Sequence, residues 1–187
     1  MYTKQGTWRE IQDKLIVPKN QLIELTKGSL TLGNLIVEPF AVSHDAADPI
    51  GINVFAGKDK ATVVTDTGVI SDSILRRMDD TTLLVLEANY DPHMLRFGPY
   101  QPFLKQRVAS DEGHLSNEMA AQALLMMNRP DFMQVILAHR SENNNNAVLV
   151  TQTIGKMLVD GGVRIGPEMK LQHGQPNEIV SMKSVKR

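Results

Sequence analysis

Apolar residues along the chain follow two periods, and the first half is written mostly in the shorter one. Leu22–Leu25, Ser29–Leu32 and Asn34–Ser43 read as strands, with turns at Lys27-Gly28 and Gly33-Asn34. Pro39 lacks a ladder donor, so its strand is expected at an edge or a bulge. Ile52–Ala56 and Ala61–Thr65 flank Gly57-Lys-Asp-Lys60 as a hairpin. The longer period begins where Ser71 or Asp72 caps a helix to Met78. It returns at Ser116, with Ala120, Ala121, Leu124 and Met127 on one face, and from Val148 to Val159, ended by Gly161-Gly162. Thr82–Leu86 and Met133–Ala138 are buried strands between these helices. A short helix over Trp8–Leu15, capped near Thr7, stops before Pro18.

Two stretches carry no period. Asn89–Arg107 holds Pro92, Gly98, Pro99 and Pro102 and is expected to be an irregular loop, while Asn143–Asn146 is expected to be a solvated turn. A strand and a basic tail are expected from Gly166 on. Strands first and alternating helices and strands afterwards predict a mixed α/β (α+β) sandwich in a single domain over 1–187. Neither a G-x-G-x-x-G sequence nor a phosphate-binding P-loop occurs.

The strands matter for where they end. Three apolar runs deliver a metal-capable side chain just past their last residue: His44-Asp45 after Asn34–Ser43, Asp66 after Ala61–Thr65, and His139 after Met133–Ala138. Glu87 ends the strand Thr82–Leu86, where it is placed to orient a metal-bound histidine. The chain has no cysteine, so any metal is held by imidazole and carboxylate. A net charge of −1 removes a broad basic surface, and any nucleic-acid contact must be local. Arg96, Tyr100, Lys105 and Arg107 interleave cations with aromatics before His114, a composition that suits a single strand of nucleic acid and equally a lid or dimer contact held by packing. His93 and His173 read as surface residues in irregular segments. No membrane span and no signal-peptide core is legible, so a cytoplasmic protein is expected.

Taken together, Ser43-His44-Asp-Ala-Ala-Asp48-Pro, Thr65-Asp66-Thr-Gly, Leu86-Glu87-Ala-Asn-Tyr90-Asp91-Pro, Gly113-His114-Leu-Ser-Asn117-Glu and Leu137-Ala-His139-Arg-Ser resemble the metallo-β-lactamase fold. Within that fold they resemble the WalJ (YycJ) group of hydrolases, related to RNase Z and RNase J. The resemblance implies an αββα sandwich with two divalent ions, Zn or Mn, in a cleft at one edge of the sheets. It implies His44 on the first metal, Asp66 bridging, His139 on the second, and His114 as proton donor or charge stabiliser near the scissile phosphate. Asp45 and Glu87 would support the ligands; Arg96, Tyr100, Lys105, Arg107, Ser116 and Asn117 would meet a single-stranded DNA or RNA substrate. The activity implied is a metal-dependent phosphodiesterase or nuclease.

The His-x-His-x-Asp-His motif of that family is nowhere in the sequence. Weak or partial metal binding is therefore expected, together with an apolar sheet face left uncovered. An N-terminally truncated version of a longer hydrolase is the favoured expectation. A degenerate, non-catalytic binding or scaffold protein acting as a homo-oligomer is the alternative. A third reading keeps the fold and changes the substrate to a lactone or thioester.

Overall fold

A computed structural model describes residues 1–25, 28–175 and 178–180. The expected turn at Lys27 and the basic tail over 181–187 lie outside the described residues. At the N-terminus β1 (Tyr2–Thr3) pairs in parallel with β2 (Ile23–Glu24). Between them lies α1 (Gln5–Ile11), which begins earlier than expected, behind Lys4 and without a side-chain cap.

One seven-stranded sheet carries the rest. β3 (Leu30–Leu32), β4 (Leu35–Ala41), β5 (Ile50–Ala56) and β6 (Asp59–Val64) form an antiparallel meander, and β7 (Leu83–Glu87), β8 (Met133–Ala138) and β9 (Met169–His173) continue it in parallel. Pro39 pairs with Ile52 of β5, whereas β3 reaches only Leu35–Val37, so the missing N–H falls where β4 has no second neighbour. β5 and β6 are joined through Gly57, whose φ of 62° the tight hairpin requires.

Helices α2 (Asp72–Met78), α5 (Asn117–Met126) and α6 (Ala147–Asp160) cover one face of this sheet. Ser71, Ser116 and Asn146 cap them by accepting the backbone N–H groups of Ile74, Met119 and Leu149. Met78, Leu84, Leu86, Leu124, Val135, Leu137, Ile154 and Leu158 make a continuous core between helices and sheet. The strand positions between them point the other way: Leu83, Val85 and Ile136 are only half-buried, and Val63 is exposed. Among the described residues the sandwich is thus one helical layer on one sheet; on the other face the N-terminal residues Tyr2, Thr3 and Lys4 stand opposite Val37, Ile50 and Ile52, and the part over β6 to β8 is open.

Asn89–Arg107 is not an irregular loop. It folds as α3 (Pro92–Phe97) and α4 (Pro102–Val108). The prolines that argued against helix stand in the first turn of each, where no intrahelical donor is needed, and Asp91 caps α3 by accepting the Met94 N–H at 2.8 Å. Nor is Asn143–Asn146 a solvated turn: Asn144 and Asn145 are buried. His173 lies on strand β9, half-buried, and only His93 is a surface residue as expected, stacked on Phe97 in α3. No helix among the described residues is long and apolar enough to cross a membrane.

Candidate functional site

The parallel strands bring the chemistry to one edge. Val64, Leu86 and Leu137 share a rung across β6, β7 and β8, so Asp66 and His139 each stand two residues past it, with Glu87 between them one residue on. Asp66 and His139 both take left-handed backbone conformations, at φ 55° and 52°. Such conformations cost free energy for non-glycine residues and persist only where the surroundings fix them. Here Gly68 donates to Ser43 O at 2.9 Å and Thr67 Oγ1 accepts the Ser43 N–H at 3.2 Å, tying the Asp66 turn to the His44 loop. Asn89 Nδ2 donates to His139 O at 2.7 Å. Gly68 is required by contact as well, because a Cβ there would sit 2.2 Å from Ser110 O, in the loop that leads to His114.

Glu87 organises the imidazoles. Its side chain is wholly buried, and one oxygen, Oε1, accepts from His114 Nδ1 at 2.7 Å and from His139 Nδ1 at 2.8 Å, while Oε2 accepts the Thr67 N–H at 3.0 Å. Burial disfavours the charged carboxylate, but these donors outweigh it and hold the Glu87 carboxyl below its usual range. The same hydrogen bond raises the His139 imidazole, against burial and with help from the charges of Glu87 and Asp66. His44 is oriented differently. Its Nδ1 lies 3.0 Å from the carbonyl oxygens of both Glu112 and Gly113, and since a carbonyl only accepts, Nδ1 carries the proton.

With their Nδ1 atoms engaged, His44 turns Nε2 toward Asp66 Oδ1 at 3.6 Å and Asp45 Oδ1 at 3.5 Å, and His139 turns Nε2 toward Asp66 Oδ1 at 3.5 Å. A divalent ion bound at about 2.0–2.2 Å holds neighbouring ligand atoms roughly 3.3–3.6 Å apart. Each separation therefore fits an ion between Asp66 and one imidazole, with Asp66 shared by two metal positions, one on the His44 side and one on the His139 side. His114 completes the cluster, its ring 5.1 Å from those of both His44 and His139. His44, Asp66 and His114 form one group that could hold a cation, and Glu87, His114 and His139 a second. In the second group the short N···O distances are hydrogen bonds to Glu87, which is the arrangement that orients ligands rather than the one that binds metal.

Around this centre the expected residues separate. Asp45 forms a bidentate ion pair with Arg107, through Nε to one oxygen and Nη2 to the other, which lowers the Asp45 carboxyl and keeps the Arg107 guanidinium firmly charged. Arg107 and Tyr100 line a cleft of ≈ 350 Å³ together with His114 and His139. Arg96 and Lys105 are not in its wall; Lys105 Nζ donates to Arg96 O at 2.8 Å on the outer side of α3 and α4. Ser116 and Asn117 do not face the cleft either. Ser116 is buried as the α5 cap, and Asn117 is fully buried, exchanging hydrogen bonds of 3.1 and 2.8 Å with Asn145. Sequence reasoning missed Asn145, which also donates to the carbonyls of Ala88 and Asn89 at 3.0 and 3.1 Å and so fixes the end of β7 under the site. It missed Thr67 and Asn89 as well; their only signal is that they lie three and two residues past the ends of β6 and β7.

Comparison with known proteins bears on this geometry. The exodeoxyribonuclease YycJ of Bacillus anthracis is 32% identical over 178 residues, covering 94% of this chain and 67% of the relative. The exodeoxyribonuclease WalJ of Streptococcus pneumoniae serotype 2 (strain D39) is 30% identical over 182 residues, with 95% and 67% covered. Among solved structures, the metallo-β-lactamase fold protein YhfI from Bacillus subtilis superposes with a TM-score of 0.64 at 14% identity, over 91% of this chain and 61% of that one. Zn²⁺-bound PqqB from Methylobacterium extorquens gives 0.61 at 15% identity, over 92% and 62%. The chain thus spans about two thirds of the length of the relatives it matches. Residues 1–139, which end on His139, match the family described as the beta-lactamase superfamily domain, and the chain belongs to that family.

Proposed function

We propose that the chain carries the centre of a metal-dependent nuclease that hydrolyses phosphodiester bonds in single-stranded DNA or RNA. The observation behind this reading is the convergence of His44 Nε2, His139 Nε2 and Asp66 Oδ1, with His114 beside them on the same buried Glu87. His44, Asp66 and His139 would hold the divalent ions, Zn or Mn, with Asp66 between the two imidazoles. A metal bound there supplies an activated water and neutralises charge on phosphoryl oxygens.

The chain's own residues do the remainder. Glu87 fixes the rings of His114 and His139 through their Nδ1–H groups, so that their outer nitrogens face the cleft. His114, held by Glu87 through its Nδ1–H, would hand a proton from its outer nitrogen to the leaving oxygen. Asp45 and Arg107 clamp the His44 loop to α4, which leaves Arg107 Nη1 as the guanidinium's group for a substrate phosphate. Tyr100 in the cleft wall and Phe97 and Phe103, exposed on α3 and α4, offer surfaces for stacked bases. The names of the two curated relatives favour DNA among the nucleic acids, in an exonuclease mode.

The test is cleavage of end-labelled single-stranded DNA and RNA by the metal-loaded chain. Release of nucleotides that needs Mn²⁺ or Zn²⁺ and falls to background in Asp66→Asn is expected. Cleavage by wild type no different from His139→Ala would contradict the reading.

A further inference from the structure

A second cleft opens on the far side of His139. It measures ≈ 630 Å³ and is lined by the end of β8 through His139 and Arg140, by the start of α6 through Asn146 and Ala147, and by Gly174 just past β9. His139 and Arg140 also belong to the wall of the first cleft, so the two spaces meet at the proposed metal ligand.

Arg140 has no role in the network described so far. No described carboxylate lies within ion-pair distance of it, Glu142 at the rim included, and its Nη1 is closed off from solvent without any hydrogen-bond acceptor. A guanidinium is always charged, and leaving one of its buried donors unmade costs free energy that an acidic oxygen would recover. The opposite wall is also suited to an anion. α6 is a 14-residue helix whose Asn146 side chain already takes the Leu149 N–H, while the N–H groups of its first two residues have no acceptor inside the helix.

The geometry points to a phosphate-binding subsite formed by Arg140 and the first turn of α6, which holds a phosphate of the nucleic-acid strand beside the metal centre. The identity of the polymer rests on the nuclease reading; the anion chemistry does not. The phosphate is either the strand's terminal phosphate or one in its backbone. A subsite adjoining His139 fixes how far the strand advances past the scissile bond, whichever phosphate fills it.

Two measurements in metal-free buffer with EDTA test it. In the first, thermal melting is compared in inorganic phosphate and in chloride at equal ionic strength. Wild type is expected to melt higher in phosphate, Arg140→Gln to lose that rise, Arg140→Lys to keep part of it, and Lys156→Gln, on the exposed side of α6, to match wild type. No phosphate-dependent rise in wild type, or an equal rise in Arg140→Gln, overturns the subsite. In the second, a fluorescent single-stranded decamer carries a 5′-phosphate, a 3′-phosphate or hydroxyls at both ends. Arg140→Gln is expected to weaken binding roughly tenfold, the loss of one charge-assisted hydrogen bond. A loss confined to one phosphorylated end assigns the terminal phosphate, and an equal loss on all three assigns the backbone. Affinity unchanged in Arg140→Gln overturns the subsite for nucleic acid. Decamer binding absent while the phosphate rise persists refutes the nuclease reading and leaves the subsite standing.

Discussion

Glu87 is the residue on which the site turns, because one buried carboxylate sets the position of two imidazoles from different elements. Replacing it by glutamine presents an N–H where imidazole N–H groups already point. Glu87→Gln is expected to destabilise the metal-free protein by about 3 kcal/mol, read from chemical denaturation. Metal affinity is expected to fall roughly 10- to 100-fold in the same variant, measured by calorimetric titration. The pH dependence follows from the two shifts. Glu87 has a folded pKa below its ordinary 4.5, so its stabilisation is full above that value and is lost as pH falls through the folded pKa. His139 has a folded pKa above its ordinary 6.5, so its stabilisation is full below that value and is lost as pH rises through the folded pKa. Metal-free wild type should therefore lose melting temperature on both sides of the interval from about pH 4.5 to 6.5, from these two groups. Glu87→Gln should show neither dependence, and a variant that keeps both would place their origin elsewhere.

At the scale of the elements, strand ends are what the chain writes most clearly. The β-branched run before Asp66 and the apolar run before His139 fold as the predicted strands, and the parallel register then puts their last residues side by side. What stayed hidden depended on partners distant in sequence. The prolines of 89–107 look like breakers until Asp91 and Gln101 are seen to start helices behind them, and the asparagines of 143–146 look solvated until Asn145 meets Asn117 and the end of β7. No local pattern distinguishes a buried asparagine with four partners from an exposed one. Asn145→Ala should expose that difference. It leaves the Ala88 carbonyl and Asn117 Oδ1 without their donor, while the Asn89 carbonyl keeps the Ser141 N–H, and a loss of about 2–4 kcal/mol in unfolding free energy is expected. A loss below 0.5 kcal/mol would show that water replaces the side chain. On α4, Phe103→Ala removes an aromatic that is 70% exposed and makes no core contact. Single-strand affinity is expected to fall by about 1–3 kcal/mol in a fluorescence titration, with the melting temperature unchanged. Unchanged affinity would remove Phe103 from the strand's path.

For the whole molecule, the architecture has one well-covered side and one open side. Helices α2, α5 and α6 seal the first, while Val63, Leu83, Val85 and Ile136 leave an apolar surface on the second, as expected from the sequence. The chain should bind an apolar fluorescent dye through that face, and Val63→Lys should reduce dye binding severalfold without lowering the melting temperature. Undiminished binding would locate the apolar surface elsewhere. The site lies at the edge where the parallel strands end, on turns held by side-chain hydrogen bonds, so the open face does not enter its geometry. The central claim is that His44 and His139 hold divalent ions on either side of Asp66 while Glu87 orients the rings of His114 and His139. Anomalous diffraction at the zinc edge, from crystals grown with Zn²⁺, tests it most directly. The expected result is zinc beside Asp66, contacted by His44 Nε2 on one side and by His139 Nε2 on the other, and no ion on Glu87. An ion bound by Glu87 through the Nδ1 side of His114 and His139, or no ion at this edge, would contradict it.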